Sequence, residues 1–324
     1  MNRRHALKTT AFGLGALALS PACGTTAQTE TDKTMAGPVS PLGIQLFTIP
    51  MLVDQDLRGT LKQLSDIGYR EIEFFGPYPA SSAAAKAEWA GFSEMIGVKN
   101  HAYWGSSVEE VAGMMQEFGL NAPSMHADLL SMRTGMTELL DGLAPLKPKY
   151  VVLPALMEGR DSLDDYKRLA EEFNGFGEQM AAYDMKFVYH NHGYEHIEMD
   201  GQIPMNFLLE NTEGDKVQFE LDVFWMSAAG ADPIKYLQTY KGRYVSLHIK
   251  DASEPFRFSG DGGSPDQWMA GFPKMADPGS GILDIAGFMK TGRESGVDHF
   301  FLERDLTPTP KETLEKSFAF LRKV

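Results

Sequence analysis

The chain holds a single cysteine among 324 residues, so no internal disulfide can staple it. It is short of basic residues: 30 Lys and Arg stand against 44 Asp and Glu, for a formal net charge of −14. A surface of that sign repels polyanions, so no nucleic-acid partner is expected. There is no Gly-rich loop of the phosphate-cradling kind. Nor is there a break in composition that would mark two folded domains. What is present suffices for a full core, with 43% hydrophobic and 23% charged residues.

The first 40 residues read as separate from the fold. Asn2-Arg3-Arg4-His5-Ala6-Leu7-Lys8 precedes an uncharged run rich in Ala, Gly and Leu, broken by Pro21. That is the charged and apolar layout of an export signal rather than of a membrane span. The paired arginines resemble a twin-arginine signal, which implies export in a folded state. Cys23 sits where a lipid-attachment cysteine would, with Ser20 three residues before it where Leu is usual. Lipidation there is the one expected route to a membrane; cleavage near Ala27 is the alternative. Residues 1–28 are therefore assigned to the signal, 29–40 to a linker and 41–324 to one domain. The expected location is the periplasm, free or as an anchored lipoprotein.

From Pro41 onward short apolar runs alternate with segments of helical spacing. The runs are Gly43–Ile49, Glu71–Phe75, Ala122–His126, Tyr150–Leu153, Lys186–Tyr189, Val217–Leu221, Tyr244–Ile249 and His299–Leu302. Eight strand–helix pairs predict an α/β fold, a single (β/α)₈ TIM barrel. Two longer stretches, Tyr78–Ser106 and Ala252–Pro278, do not fit the repeat; the second leaves from the rim and is expected to cover a site.

Four of the strands end in polar clusters: His190-Asn191-His192, Asp222, His248-Ile249-Lys250-Asp251 and Glu303-Arg304-Asp305. In a barrel such ends meet at the C-terminal rim. His190, Asp222, His248 and Glu303, each on its own strand, are the candidate ligands of one divalent metal. An imidazole–carboxylate set suits Zn, Mn, Fe or Co better than Mg or Ca.

These motifs resemble the sugar phosphate isomerase/epimerase superfamily, the xylose isomerase-like TIM barrels. The carriers are Leu221-Asp222-Val223-Phe224-Trp225, Leu247-His248-Ile249-Lys250-Asp251, Phe301-Leu302-Glu303 and His190-Asn191-His192-Gly193. The resemblance covers roughly Pro41 to Val324 and implies one metal held by a Glu, Asp, His and Glu. Asp222, His248 and Glu303 match that set directly; His190 stands where the family has its first Glu. Trp225 stands where several members carry a histidine.

The resemblance implies proton transfer next to a carbonyl, with Glu303 as base. The acid on the opposite face is expected among His190, His192 and Lys250, with His192 preferred because it need not bind metal, and Lys250 is the next candidate base. His126, Glu195 (or His196), Trp225, Gln45 and Trp104 are expected to line the substrate site. Trp268 and Phe47 are expected nearby, and Trp89 in packing. The ligand expected is a small carbohydrate, free or as a glycoside, since export removes the chain from the sugar-phosphate pool. The reaction expected first is isomerisation or epimerisation. A 3-keto-sugar lyase or hydratase is the alternative, and a non-catalytic sugar-binding lipoprotein is the reading from outside enzymology. Oligomeric state is not readable from the chain.

Overall fold

The computed structural model describes residues 41–100 and 103–324, so the expected signal, Cys23 and linker lie outside the described residues. Eight strands close a parallel barrel: β1 Leu42–Gln45, β2 Glu71–Phe75, β3 Ser124–His126, β4 Tyr150–Leu153, β5 Lys186–His190, β6 Val217–Asp222, β7 Tyr244–Ile249 and β10 His299–Leu302. They follow one another in sequence round the barrel, and β10 closes onto β1. Two short strands, β8 Asp251–Ala252 and β9 Met275–Ala276, pair antiparallel. The expected (β/α)₈ architecture is thus the observed one.

Strands covered by helices outside and side chains inside are buried on both faces, which is why they read as apolar runs. The outer core is continuous: Leu61 and Leu64, Val111 and Met115, and Leu169, Phe173 and Met180 turn inward at helical spacing. Asp56 caps Leu57–Ile67 through the Gly59 N–H, 2.8 Å. Ser107 and Glu110 form a reciprocal capping box on Val108–Phe118.

Inside the barrel, Val152 and Val188 lie one layer below the polar strand ends and pack with Tyr150 and Val245. Gly43 is needed here. A Cβ on it would come within 2.4 Å of the Phe301 ring, which fills the barrel from β10. β1 is shorter than expected because the Gln45 side chain accepts from the Phe47 N–H at 3.1 Å and turns the chain into a 3₁₀ segment, Leu46–Thr48.

Both irregular stretches contain helices the spacing did not announce, Ala83–Ile96 and Pro265–Gly271. Trp89 packs against Phe47, Phe75 and Phe92, the packing role expected of it. The segment after β8 crosses the rim. The Arg160 guanidinium donates to the Gly263 carbonyl and lies over the Tyr194 ring at 4.1 Å, pinning that segment to the opposite side.

Candidate functional site

Inward-facing polar side chains gather at the C-terminal end of the barrel in two tiers. Strand alternation sets both: residues two apart on one strand share a side. Glu220 and Asp222 on β6, and His248 and Lys250 on and just after β7, therefore occupy successive levels.

The lower tier is built on two carboxylates. Glu220 Oε2 lies 3.0 Å from His126 Nε2, 2.9 Å from His190 Nδ1 and 3.0 Å from His248 Nε2. Its other oxygen accepts from the Ser246 hydroxyl at 2.7 Å. Glu73 Oε2 accepts from Gln45 Nε2 at 2.9 Å, and lies 2.6 Å from His248 Nε2 and 3.2 Å from His126 Nε2. The Ser124 hydroxyl donates to its second oxygen. The two carboxylates and His248 are fully buried, and His126 and His190 nearly so.

The upper tier is built on one ammonium. Lys250 Nζ lies 2.8 Å from Glu303 Oε2, 3.1 Å from Asp222 Oδ2 and 3.0 Å from each Asp305 oxygen. It also sits over the Trp225 ring, 5.2 Å from the centroid. Asp222 is oriented by the chain around it. Oδ1 accepts from the Phe224 and Trp225 N–H groups at 2.9 and 2.8 Å, capping Val223–Ala228. Oδ2 faces the cluster with no hydrogen bond among the described residues, paired to Lys250 and with His190 Nε2 3.8 Å away. His248 joins the tiers, because its Nδ1 lies 2.5 Å from Glu303 Oε2.

Burial opposes charge on every one of these groups, and the neighbours decide the outcome. For His126, Glu73 and Glu220 outweigh desolvation and lift the pKa to about 9. For His248, Glu220, Glu303 and Glu73 lift it well above the ordinary value. His190, with less compensation for its burial, is held below 6.5. Desolvation would raise Glu303, but Lys250 and His248 hold it well below the usual carboxylate range. Lys250, desolvated but ringed by Asp222, Asp305 and Glu303, stays firmly protonated. Asp305 is pushed well up by burial and by Glu303 and Asp222, against the pull of Lys250.

His192 is different in kind. It stacks on Trp225 (5.9 Å, 20°) and lies against Trp268 (4.6 Å). Desolvation, with His190 and Lys250 beside it, holds its pKa well below 6.5, and among the described residues its buried Nδ1 has no partner. Against that lowering, Glu303 and the Pro154 carbonyl favour its charged form.

Several expected substrate contacts have other duties. Glu195 is fully buried, accepting from the Tyr189 hydroxyl at 2.5 Å, from the Gly193 N–H at 2.8 Å and from the His192 N–H at 3.1 Å. It anchors the turn that presents His192 and has no oxygen free for a sugar. His196 turns to the Tyr236 hydroxyl at 3.2 Å. Gln45 is spent on Glu73 and the Phe47 N–H. Trp225 is stacked by His192 at 5.9 Å and by Phe258 at 5.8 Å, with Lys250 also over its ring, so it braces the site. Trp104 packs on Phe74 and Phe75. His126 belongs to the lower tier.

The residues sequence reasoning missed are Glu73, Glu220 and Asp305. Each carried a signal: a carboxylate at inward parity within or just beyond an apolar strand, two residues from a recognised group or on a neighbouring strand.

Two buried groups among the described residues could hold a metal: His126, His190, Glu220 and His248, and Asp222, His248 and Glu303. The expected quartet is divided between them. Its donors are of the right chemistry, and His190 Nε2 lies 3.8 Å from Asp222 Oδ2. The charge at that place is already supplied, however. Two unit charges 4 Å apart at an effective dielectric near 20 repel by about 4 kcal/mol. A dication set on Asp222 and Glu303 would face Lys250 with twice the charge. The three carboxylates there offset that repulsion, and Asp222, His248 and Glu303 remain within reach of one ion.

The sequence pattern of the xylose isomerase-like TIM barrel family matches residues 61–324. The chain belongs to that family. An inosose dehydratase of Lacticaseibacillus casei is 26% identical over 143 residues, 43% of this chain and 46% of that protein, so the match spans about half the length of that curated relative. A sugar phosphate isomerase/epimerase from Parabacteroides distasonis ATCC 8503 shares the fold with a TM-score of 0.68 at 23% identity, over 89% of this chain and 96% of that one. So does the IOLI protein, solved with a bound zinc atom, with a TM-score of 0.61 at 18% identity, over 87% and 95%. Identities this low in the two solved structures establish the shared fold and nothing finer.

Proposed function

We propose that this family member is a carbohydrate lyase of the dehydratase kind, which removes the proton next to a sugar carbonyl and expels the β-hydroxyl as water. The observation that carries the reading is the pairing of a neutral, unpartnered imidazole with a permanent ammonium at one rim: His192 Nδ1 beside Lys250. A proton α to a carbonyl needs a base within reach and a positive charge where the oxygen becomes anionic. His192 supplies the first. Lys250, held by Glu303, Asp222 and Asp305, supplies the second.

In this scheme Nδ1 takes the α-proton and the electron pair of that C–H bond moves toward the carbonyl oxygen beside Lys250. The pair then returns to form the carbon–carbon double bond as the C–OH bond breaks. The imidazolium gives its proton to the departing oxygen, so one water leaves and the enzyme is restored. Glu303, the base suggested by resemblance, has its Oε2 occupied by Lys250 at 2.8 Å and by His248 at 2.5 Å, whereas His192 Nδ1 is unoccupied among the described residues. The buried carboxylates favour a neutral polyhydroxylated substrate over a phosphorylated one. The similarity to a dehydratase supports the same order.

Incubation with keto-glycosides and ketoses in deuterated water tests this. The expected result is an alkene product by ultraviolet absorbance, abolished in His192→Asn. Deuterium in recovered substrate or in an isomeric sugar, with no alkene, would move the reading to isomerase or epimerase. No exchange and no alkene, with sugar binding intact, would make the chain a binding protein. We also propose that the Arg3-Arg4 segment directs export through the twin-arginine route. Arg3→Lys with Arg4→Lys should strand precursor in the cytoplasm, and normal export of that double variant would refute it.

A further inference from the structure

We infer that the chain's divalent metal site lies in the lower tier, one layer beneath the rim, with His126, His190, His248 and Glu220 as ligands and Glu73 as a fifth donor. The inference does not depend on which reaction the rim performs.

Ligand atoms bound about 2.0–2.2 Å from a zinc-like ion stand roughly 3–3.5 Å apart. Glu220 Oε2 lies 2.9–3.0 Å from nitrogens of three different histidines. All these atoms fall within 4.8 Å of one another. Glu73 Oε2 adds a contact of 3.2 Å to His126 and one of 2.6 Å to His248. Every one of these residues is buried, and among the described residues the ion pairs of this tier include no lysine or arginine. At the rim the Lys250 ammonium lies on both Asp222 and Glu303.

The two tiers compete for the same imidazoles. A neutral imidazole has one lone pair and one N–H. If His190 Nδ1 and His248 Nε2 bind an ion below, then His190 Nε2 and His248 Nδ1 carry the hydrogens. Those hydrogens face Asp222 Oδ2 at 3.8 Å and Glu303 Oε2 at 2.5 Å. A metal-bound histidine usually has a carboxylate on its outer N–H in this way, which fixes its tautomer. The acids the motifs nominated as ligands thus become the outer partners of the histidines. His126 is the residue that separates the two arrangements, because among the described residues its carboxylate contacts are Glu73 and Glu220 alone.

The test uses the full chain, freed of metal by chelation and titrated with Zn²⁺ or Co²⁺ against a competing chelator. One equivalent should bind, and an anomalous-scattering peak should fall among His126, His190, His248 and Glu220. His126→Ala should weaken binding roughly 10–100-fold, a range typical of losing a metal-site group, with His126→Gln as the second variant should alanine unfold the barrel. A peak between Asp222 and Glu303 would overturn the inference. So would unchanged affinity in a folded His126 variant, or the binding of no metal at all. None of these readouts involves turnover, so failure here leaves the rim reading standing, and the reverse.

Discussion

In the lower tier two carboxylates face three imidazoles, while in the upper tier three carboxylates face one ammonium. Both tiers are buried and both have to neutralise acid without water. The difference lies in what the cation can surrender. An imidazolium can lose its proton and offer a lone pair to a metal. An ammonium held by three carboxylates cannot, so the upper tier keeps a fixed charge. On the proposed reading the rim serves a developing oxyanion, and the layer below it an exchangeable ion.

The sharpest way to break that contrast is to remove the fixed charge. Lys250→Met leaves three acids buried around an apolar chain. It should reduce turnover by about 10³-fold or more, beyond the usual range for one oxyanion donor. It should also destabilise the barrel by about 3–5 kcal/mol, as removal of one partner of a buried pair does. Denaturant unfolding and initial rates check the two halves separately. Wild-type turnover in a folded Lys250→Met chain would end the proposed role of the rim cation.

His192→Asn leaves both tiers intact and removes the base alone. Turnover should fall about 10²–10⁴-fold, with an unfolding midpoint close to the parent's. A change in stability without a change in rate would show that the ring is packing only.

Glu220→Gln strikes the lower tier. Three imidazoles lose the charge they share, and metal affinity should drop about 10–100-fold while a charged rim remains. Calorimetric titration reads the affinity. An unchanged value would place the ion elsewhere.

His196 sharpens the comparison from outside it: a buried imidazole paired with a tyrosine hydroxyl and no acid. Burial alone depresses its pKa from 6.5 to about 3, whereas His126 beside two acids rises to about 9. Because the folded pKa lies below the unfolded one, the unfolded chain takes up the proton first. The stability His196 contributes is therefore complete above pH 6.5 and is lost as pH falls toward 3. The slope from this one group should approach about 1.4 kcal/mol per pH unit within that window. His196→Gln should flatten that part of the stability–pH curve. An unaltered curve would mean the ring protonates without unfolding cost.

The smallest effect is expected at the cover. Arg160→Met frees the Gly263 segment from the Tyr194 side without touching either tier. KM should rise several-fold with kcat nearly constant, since orientation of substrate rather than chemistry is disturbed.

The alternation of apolar runs with helical spacing was enough to number the strands, because burial on both faces is written into composition. It also located the polar ends: Asp222, Lys250 and Glu303 meet at the rim, and His248 links them to His190 in the tier below. What it did not convey was depth. Glu220 and Asp222 look alike in Phe219-Glu-Leu-Asp222, yet one enters the lower tier and the other caps a helix while holding Lys250. Glu195 looked free beside His192, and only its four accepted contacts show that it is committed to the turn.

The order of residues along the chain by itself determined the barrel, the side of each strand that faces inward, and which kinds of group stand at the rim. These follow from a period of two along a strand and from local caps, both of which act over a few residues. Which acid neutralises which base was decided only when β2, β3, β5, β6, β7 and β10 closed the circle. That choice depends on distances across the barrel, between residues as far apart in sequence as Glu73 and His248, 2.6 Å apart in space. Coulomb energy in a buried site changes steeply over such distances, and no local pattern encodes them.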